Sequence, residues 1–249
     1  MAKVKSIIHI EGSIDNLVFY KLKGIPCVRR KDGKQSERVK KNPNFVRTRE
    51  SNSEFGHCSG YGKVLRNALG PLLIKAKDDR LVSRMQQVLS IVKDMDLISP
   101  RGQRKVGIGL QTEEGKKALK GFDFNCNAPL SSVLKTNWQL ATDTGTVQVS
   151  GFVPGKQLVF PSGATHVSFQ AALLHLDFVS ASTVIAYSLI ESFPLDTVAR
   201  DLILTPGHLP AGADRKIILL AISFLQEVNG VQYPFKNEKM NVLHILEVV

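Results

Sequence analysis

Apolar residues at Leu81, Met85, Val88, Leu89 and Val92 follow the i, i+4, i+7, i+8, i+11 spacing of one helical face, which predicts an amphipathic helix over residues 78–94. Upstream, Asn42-Pro43 supplies an N-cap before a proline at the first helical position, and Phe45, Val46, Glu50 and Glu54 follow, so a helix is expected over 43–55. Gly56, Gly60 and Gly62 are expected to interrupt it, and Val64, Leu65, Ala68 and Leu69 resume a helical spacing that stops at Gly70-Pro71. Residues 43–96 thus read as a helical hairpin or bundle whose apolar stripe is core.

The pattern changes after Ser99-Pro100-Arg101-Gly102. Segments 146–153, 166–178, 183–190, 216–228 and 241–249 are rich in Val, Ile, Leu, Phe and Thr, and Pro154-Gly155, Pro161-Ser162-Gly163 and Asn229-Gly230 mark turns between several of them. Strands with short connections and no long helix between them predict an antiparallel sandwich, with Trp138 and Phe152 inside. At the N-terminus, 5–9 and 17–22 read as strands around a turn at Glu11-Gly12-Ser13, with a second turn at Gly24-Ile25-Pro26 before Cys27-Val28. Residues 29–41 carry Val39 as their one large apolar residue past Cys27-Val28, so they are expected to form an exposed, extended arm or long loop. The predicted fold class is α+β: a basic β-hairpin arm (1–42), a helical segment (43–120) and a C-terminal antiparallel β-sandwich of immunoglobulin-like architecture (121–249).

Composition adds direction to this outline. The 249 residues are 43% hydrophobic, enough for a real core. No apolar run reaches the roughly 18 to 20 residues that cross a bilayer, and MAKVKSIIHI lacks a signal-peptide layout, so a soluble chain without membrane insertion, cytoplasmic as synthesised, is expected. Three scattered cysteines, Cys27, Cys58 and Cys126, indicate neither a disulfide framework nor a zinc site. Charge is split between the halves: residues 1–120 hold 26 Lys+Arg against 12 Asp+Glu, and residues 121–249 hold 7 against 10. A one-sided basic field attracts polyanions or an acidic protein face and weakens with salt.

Candidate chemistry is thin. His57-Cys58 would need a base and an orienting group brought to the thiol in space. His166 and His175 fall on opposite faces of a regular strand, which separates them as metal ligands. Asp94 with Asp96 is a candidate cation pair and Glu113 with Glu114 a candidate acid pair, yet such doublets are common on solvated helix ends. Gly102, Gly107 and Gly109 lack the order of a dinucleotide fingerprint, and there is no phosphate-loop Lys-Ser/Thr. No catalytic constellation and no cofactor are indicated.

The run Gly12-Ser13-Ile14, Leu17, Phe19-Tyr20, Gly24, Val28-Arg29-Arg30-Lys31, then Asn42-Pro43, Phe45, Arg47-Thr48-Arg49-Glu50 and Glu54-Phe55-Gly56 resembles the start of a family of uncharacterised bacterial proteins. In that family a GSI hairpin and VRR segment precede an Arg-rich helix. The similarity spans residues 12–125, including Arg101-Gly102, Arg104 and Gly121-Phe122, Phe124-Asn125. It is also similar to small proteins of prophage-like regions, which implies a part of a virion, tail or other secreted particle. The resemblance brings no catalytic residues.

Arg29, Arg30, Lys31, Arg47 and Arg49, with Phe19 and Tyr20, are the expected partner-binding set. Guanidinium groups on an extended arm can pair bidentately with carboxylates of a neighbour, and the acid-biased second half offers such a face on an identical subunit. The expectation is a non-enzymatic assembly protein forming a homo-oligomer or engaging an acidic protein partner. The alternative is a nucleic-acid-binding protein that grips phosphates with the same basic half.

Overall fold

The computed structural model describes residues 2–3, 10–22, 24–30, 33–76, 78–177, 182–207, 215–235 and 238–249. They fall into two compact units, Met1–Asn52 and Ser53–Val249.

In the first unit, β1 (Ala2–Lys3), β2 (Gly12–Ile14), β3 (Leu17–Leu22) and β4 (Ile25–Arg30) form an antiparallel sheet in the order β1-β4-β3-β2. Strand β3 has the predicted bounds. The turn before it does not lie at Glu11-Gly12-Ser13, because Gly12 and Ser13 are within β2 and the chain reverses at Asp15-Asn16. Asp15 takes φ 50°, a left-handed conformation that Asp tolerates better than most residues. Gly24, at φ 79°, turns the chain into β4, which begins already at Ile25. The strand expected over 5–9 lies outside the described residues.

The expected extended arm is instead helix α1 (Gly33–Lys41). Scarcity of apolar residues argues against burial, not against helix. Glu37, Arg38, Lys40 and Lys41 are good helix formers, and the last three place positive charge at the negative end of the helix dipole. Asn42 caps the next turn as predicted, accepting the Asn44 N–H at 2.9 Å ahead of the 3₁₀ turn Pro43–Phe45.

Helix α2 (Val46–Ala68) runs unbroken through Gly56, Gly60 and Gly62, against the expected interruption. Its buried positions are Glu54, Cys58, Gly62 and Leu65, a helical stripe in which Leu65 alone is a large apolar residue. At Gly62 the absent side chain makes room: a Cβ there would lie 3.3 Å from Leu89 and 3.6 Å from Met85. The short α3 (Gly70–Leu73) follows, then α4 (Leu81–Asp94), which buries Leu81, Met85, Leu89 and Val92 as the periodicity requires. Helices α5 (Val106–Gly109), α6 (Glu113–Leu119) and α7 (Leu130–Val133) lead into the strands.

These are β5 (Gln139–Ala141), β6 (Thr146–Phe152), β7 (His166–Leu176), β8 (Thr183–Tyr187), β9 (Glu191–Pro194), β10 (Arg200–Leu204), β11 (Lys216–Val228), β12 (Val231–Pro234) and β13 (Val242–Val248), with the helical turn α8 (Pro154–Gln157) after β6. All pairings are antiparallel. A three-stranded sheet has the order β10-β6-β5, and a six-stranded sheet the order β12-β11-β7-β8, with β13 added to β11 and β9 to β7. Asn229-Gly230 closes the β11–β12 hairpin, both residues at positive φ as a primed turn demands.

Each face of the larger sheet has its own core. Ala172, Leu174, Ile217, Leu219 and Ile245 pack with Leu65, Met85, Leu89 and Leu119 of the helices. Phe169, Leu173, Ile218, Leu220 and Ile222 pack with Val147, Val149, Phe152 and Leu202 of the smaller sheet. Phe152 is buried, 5.4 Å from Phe169 edge to face, and Trp138 is partly buried against the same core. The predicted α+β order of hairpin, helical segment and antiparallel sheets is therefore observed. The 120/121 division does not separate two cores, since the sheet would expose a full apolar face without the helices.

Candidate binding surface of the N-terminal unit

Alternation along the paired strands β3 and β4 sorts their side chains onto two faces. Leu17, Phe19, Val28 and Arg30 share one face with Ile14 of β2, and Val18, Tyr20, Cys27 and Arg29 share the other. Tyr20 lies opposite Cys27, which makes Arg29 its diagonal neighbour, and the Arg29 guanidinium carbon sits 6.0 Å from the Tyr20 ring centroid. Ile14, Leu17, Leu22 and Ile25 are all exposed large aliphatic residues of this small sheet. Lys21 pairs with Glu11 at 2.5 Å along the same sheet.

Phe19, Tyr20, Arg29 and Arg30 are thus brought together on adjacent strands, with the two aromatic residues on opposite faces. Lys31 lies outside the described residues. Arg47 and Arg49 sit on α2, and both have local partners. Arg47 reaches Glu50 at 3.3 Å, one helical turn away. Arg49 donates to the carbonyls of Val39 at 2.8 Å and Asn42 at 2.9 Å, so it closes the C-terminal end of α1, where carbonyls lack helical partners. Its first role is to hold the fold, which sequence reading missed because α1 was not foreseen. Arg38, stacked 5.8 Å from the Phe45 ring centroid, completes the basic end of α1.

The other candidates resolve into local structure. Cys58 is fully buried and donates to the Leu89 carbonyl at 3.6 Å, and burial pushes its thiol pKa up, the reverse of an activated nucleophile. His57 packs edge-on to Tyr61 at 4.6 Å, and burial followed by the charge of Lys105 holds its pKa down. His166 contacts Glu227 at 3.4 Å, while His175 faces the Arg215 carbonyl at 3.1 Å. Asp94 pairs with Lys93 and Arg104, and Glu113 pairs with Lys116 at 3.0 Å in the first turn of α6. Among the described residues no three His, Cys, Asp or Glu side chains gather as metal ligands.

An open groove of about 390 Å³ in the second unit was not foreshadowed by any motif; Arg84, Val88, Phe122, Asp123 and Cys126 line it. Arg84 lies 5.2 Å from the Phe122 ring centroid and donates to the Asp123 and Phe124 carbonyls and to Asp78. The Cys126 thiol is held above its ordinary pKa, chiefly by its hydrogen bond to the Asp78 carboxylate. A thiol so placed is a poor nucleophile, and the guanidinium ties α4 to the 121–128 segment.

No known protein family, curated protein or solved structure matches the chain. Among the described residues no helix is long and apolar enough to cross a membrane.

Proposed function

We propose that the chain is a non-enzymatic assembly protein that self-associates, its basic N-terminal unit seating on the acid-biased C-terminal half of a second copy. One observation carries this: each face of the small sheet sets exposed aliphatic residues beside an exposed arginine, Ile14 and Leu17 with Arg30 on one face, Leu22 and Ile25 with Arg29 on the other. Apolar side chains with a charged rim are the anatomy of a protein interface, whereas a phosphate backbone would leave the aliphatic residues in water. Interfaces between oppositely charged halves of identical chains are heterologous and build rings or filaments. The setting in this reading is a phage-like or secreted particle, assembled from chains made in the cytoplasm.

A second reading, nucleic-acid binding, is favoured by the Arg29–Tyr20 stack, an arginine–aromatic pair of the kind on which bases stack. Light scattering on full-length protein over a salt series separates the two. Self-association predicts oligomers that dissolve by about 0.5 M salt, and a monomeric Arg29→Gln/Arg30→Gln/Lys31→Gln variant with an unchanged fold. Nucleic-acid binding predicts co-purifying absorbance at 260 nm that the variant loses. A wild-type monomer at low salt, free of nucleic acid, would sink both.

A further inference from the structure

The loop between α4 and α5 is pinned from the inside. Asp96, fully buried, accepts the N–H groups of Ile98 at 3.1 Å, Ser99 at 2.9 Å and Lys105 at 2.8 Å. Glu54 accepts the N–H of Gly102 at 2.7 Å. Buried carboxylates saturated by backbone donors fix a loop's shape, because each lost donor would leave charge unsatisfied.

Out of this frame stand Leu97 and Ile98, 88% and 83% exposed. Adjacent side chains diverge from the backbone, so exposure of both means that the loop tip itself protrudes. From 97 to 105 the loop carries Arg101, Arg104 and Lys105 and no acidic residue. Of the flanking acids, Asp96 is enclosed, and Asp94 is compensated by Lys93 at 2.8 Å and Arg104 at 3.2 Å.

We infer that the 97–105 loop docks on an anionic lipid surface, with Leu97 and Ile98 entering the interfacial layer and Arg101 and Lys105 at the headgroups. A protein pocket would have to receive two diverging aliphatic side chains at once, while a lipid interface requires no matching shape and rewards apolar burial next to positive charge. This surface belongs to the Ser53–Val249 unit and is independent of the assembly reading.

The test is co-sedimentation of the full-length protein with vesicles of phosphatidylcholine, with and without about 30% phosphatidylserine, an anionic lipid of the cytoplasmic leaflet. Binding to the anionic vesicles is expected, weakening about tenfold or more in Leu97→Ser/Ile98→Ser. Arg101→Gln and Lys105→Gln should each weaken it about fivefold. The double serine variant keeps every charge, so unchanged binding would assign the contact to the basic N-terminal unit and overturn the inference. Absence of wild-type binding, or equal binding to neutral vesicles, overturns it as well. Loss of self-association in the serine variant with vesicle binding intact would make the tip a protein contact instead. Leu97→Trp gives a second reading: its emission should shift to the blue on adding anionic vesicles beyond any change in wild type, whose single tryptophan is Trp138, and an unshifted spectrum rejects insertion.

Discussion

Lys93 Nζ sits 2.7 Å from Glu54 Oε2, an ion pair that joins α4 to α2 with both side chains about nine-tenths buried. Removing one member of such a pair strands the other charge. Glu54→Gln should cost about 3 kcal/mol in urea unfolding. Glu54→Leu/Lys93→Met should recover only part of this, because the Gly102 N–H loses its acceptor and leaves the double variant about 1–2 kcal/mol below wild type. Full recovery would mean that the Gly102 contact adds nothing.

Acid should act in two separable stages. Burial would raise the Glu54 pKa, yet Lys93 and the Gly102 N–H hold it below 4.5; Asp96 is likewise held below 3.8 by the Ser99 and Lys105 N–H groups despite burial. Both bind protons more weakly folded than unfolded, so the stability they add is complete above about pH 5 and is lost as pH falls through their lowered folded values. His57, depressed below 6.5, follows the same sign from a higher start, because the unfolded chain takes up the proton first. Urea midpoints should therefore begin to fall below about pH 6.5 and fall again below about pH 4.5. His57→Gln should erase the upper limb alone, and Asp96→Asn should shrink the lower one to the part that Glu54 supplies.

The glycines of the helical region divide sharply. A Cβ at Gly56 or Gly60 meets nothing within 4 Å, so alanine at either should stabilise α2 by about 0.5–1 kcal/mol. At Gly109 a Cβ would fall on the Val92 carbonyl, and at Gly115 on the Gly109 carbonyl. Alanine at either of these should cost about 3 kcal/mol or more. Thermal melts of the four variants check the contrast.

Arg49→Gln should loosen α1 before it alters any partner contact. Two charge-assisted bonds to carbonyls are lost, worth about 1.5–3 kcal/mol each at most. Amide exchange should accelerate across residues 37–42 and stay unchanged in β7 and β11. Equal protection of α1 in both proteins would return Arg49 to the partner-binding set.

Periodicity made the long elements legible. Helix α4 and strands β3, β6, β7, β11 and β13 lie where apolar spacing put them, to within three residues at each end. What escaped had a physical reason. In α2 the buried stripe is Glu54, Cys58 and Gly62, whose burial depends on Lys93, the Leu89 carbonyl and the closeness of Leu89, none of which is local in sequence. In α1 there is no apolar face to read. Strand β10, Arg-Asp-Leu-Ile-Leu, alternates for too few residues to stand out until β6 pairs with it. Of the binding set, Phe19, Tyr20, Arg29 and Arg30 fall on adjacent strands, one aromatic and one arginine to each face, because a hairpin brings neighbours in sequence together. Leu97 and Ile98 could have been noticed as aliphatic residues beyond the α4 stripe, just before a Ser-Pro turn.

Strand β11 is apolar on both faces from Ile217 to Ile222. If it slid by one residue against β7, the side chains meant for the helices and for the smaller sheet would trade places with nothing exposed to water. Hydrophobic patterning cannot choose between those alignments. The choice falls to directional groups: Asn241 accepts the Phe224 N–H at 3.1 Å while donating to the Lys75 carbonyl at 2.9 Å, and Thr165 accepts the Glu227 N–H at 2.7 Å. Asn241 stands at the threshold of β13, 17 residues past the group it fixes. The alignment of the larger sheet is therefore keyed by a few amide and hydroxyl groups at its margins, and the apolar mass between them would accept either register.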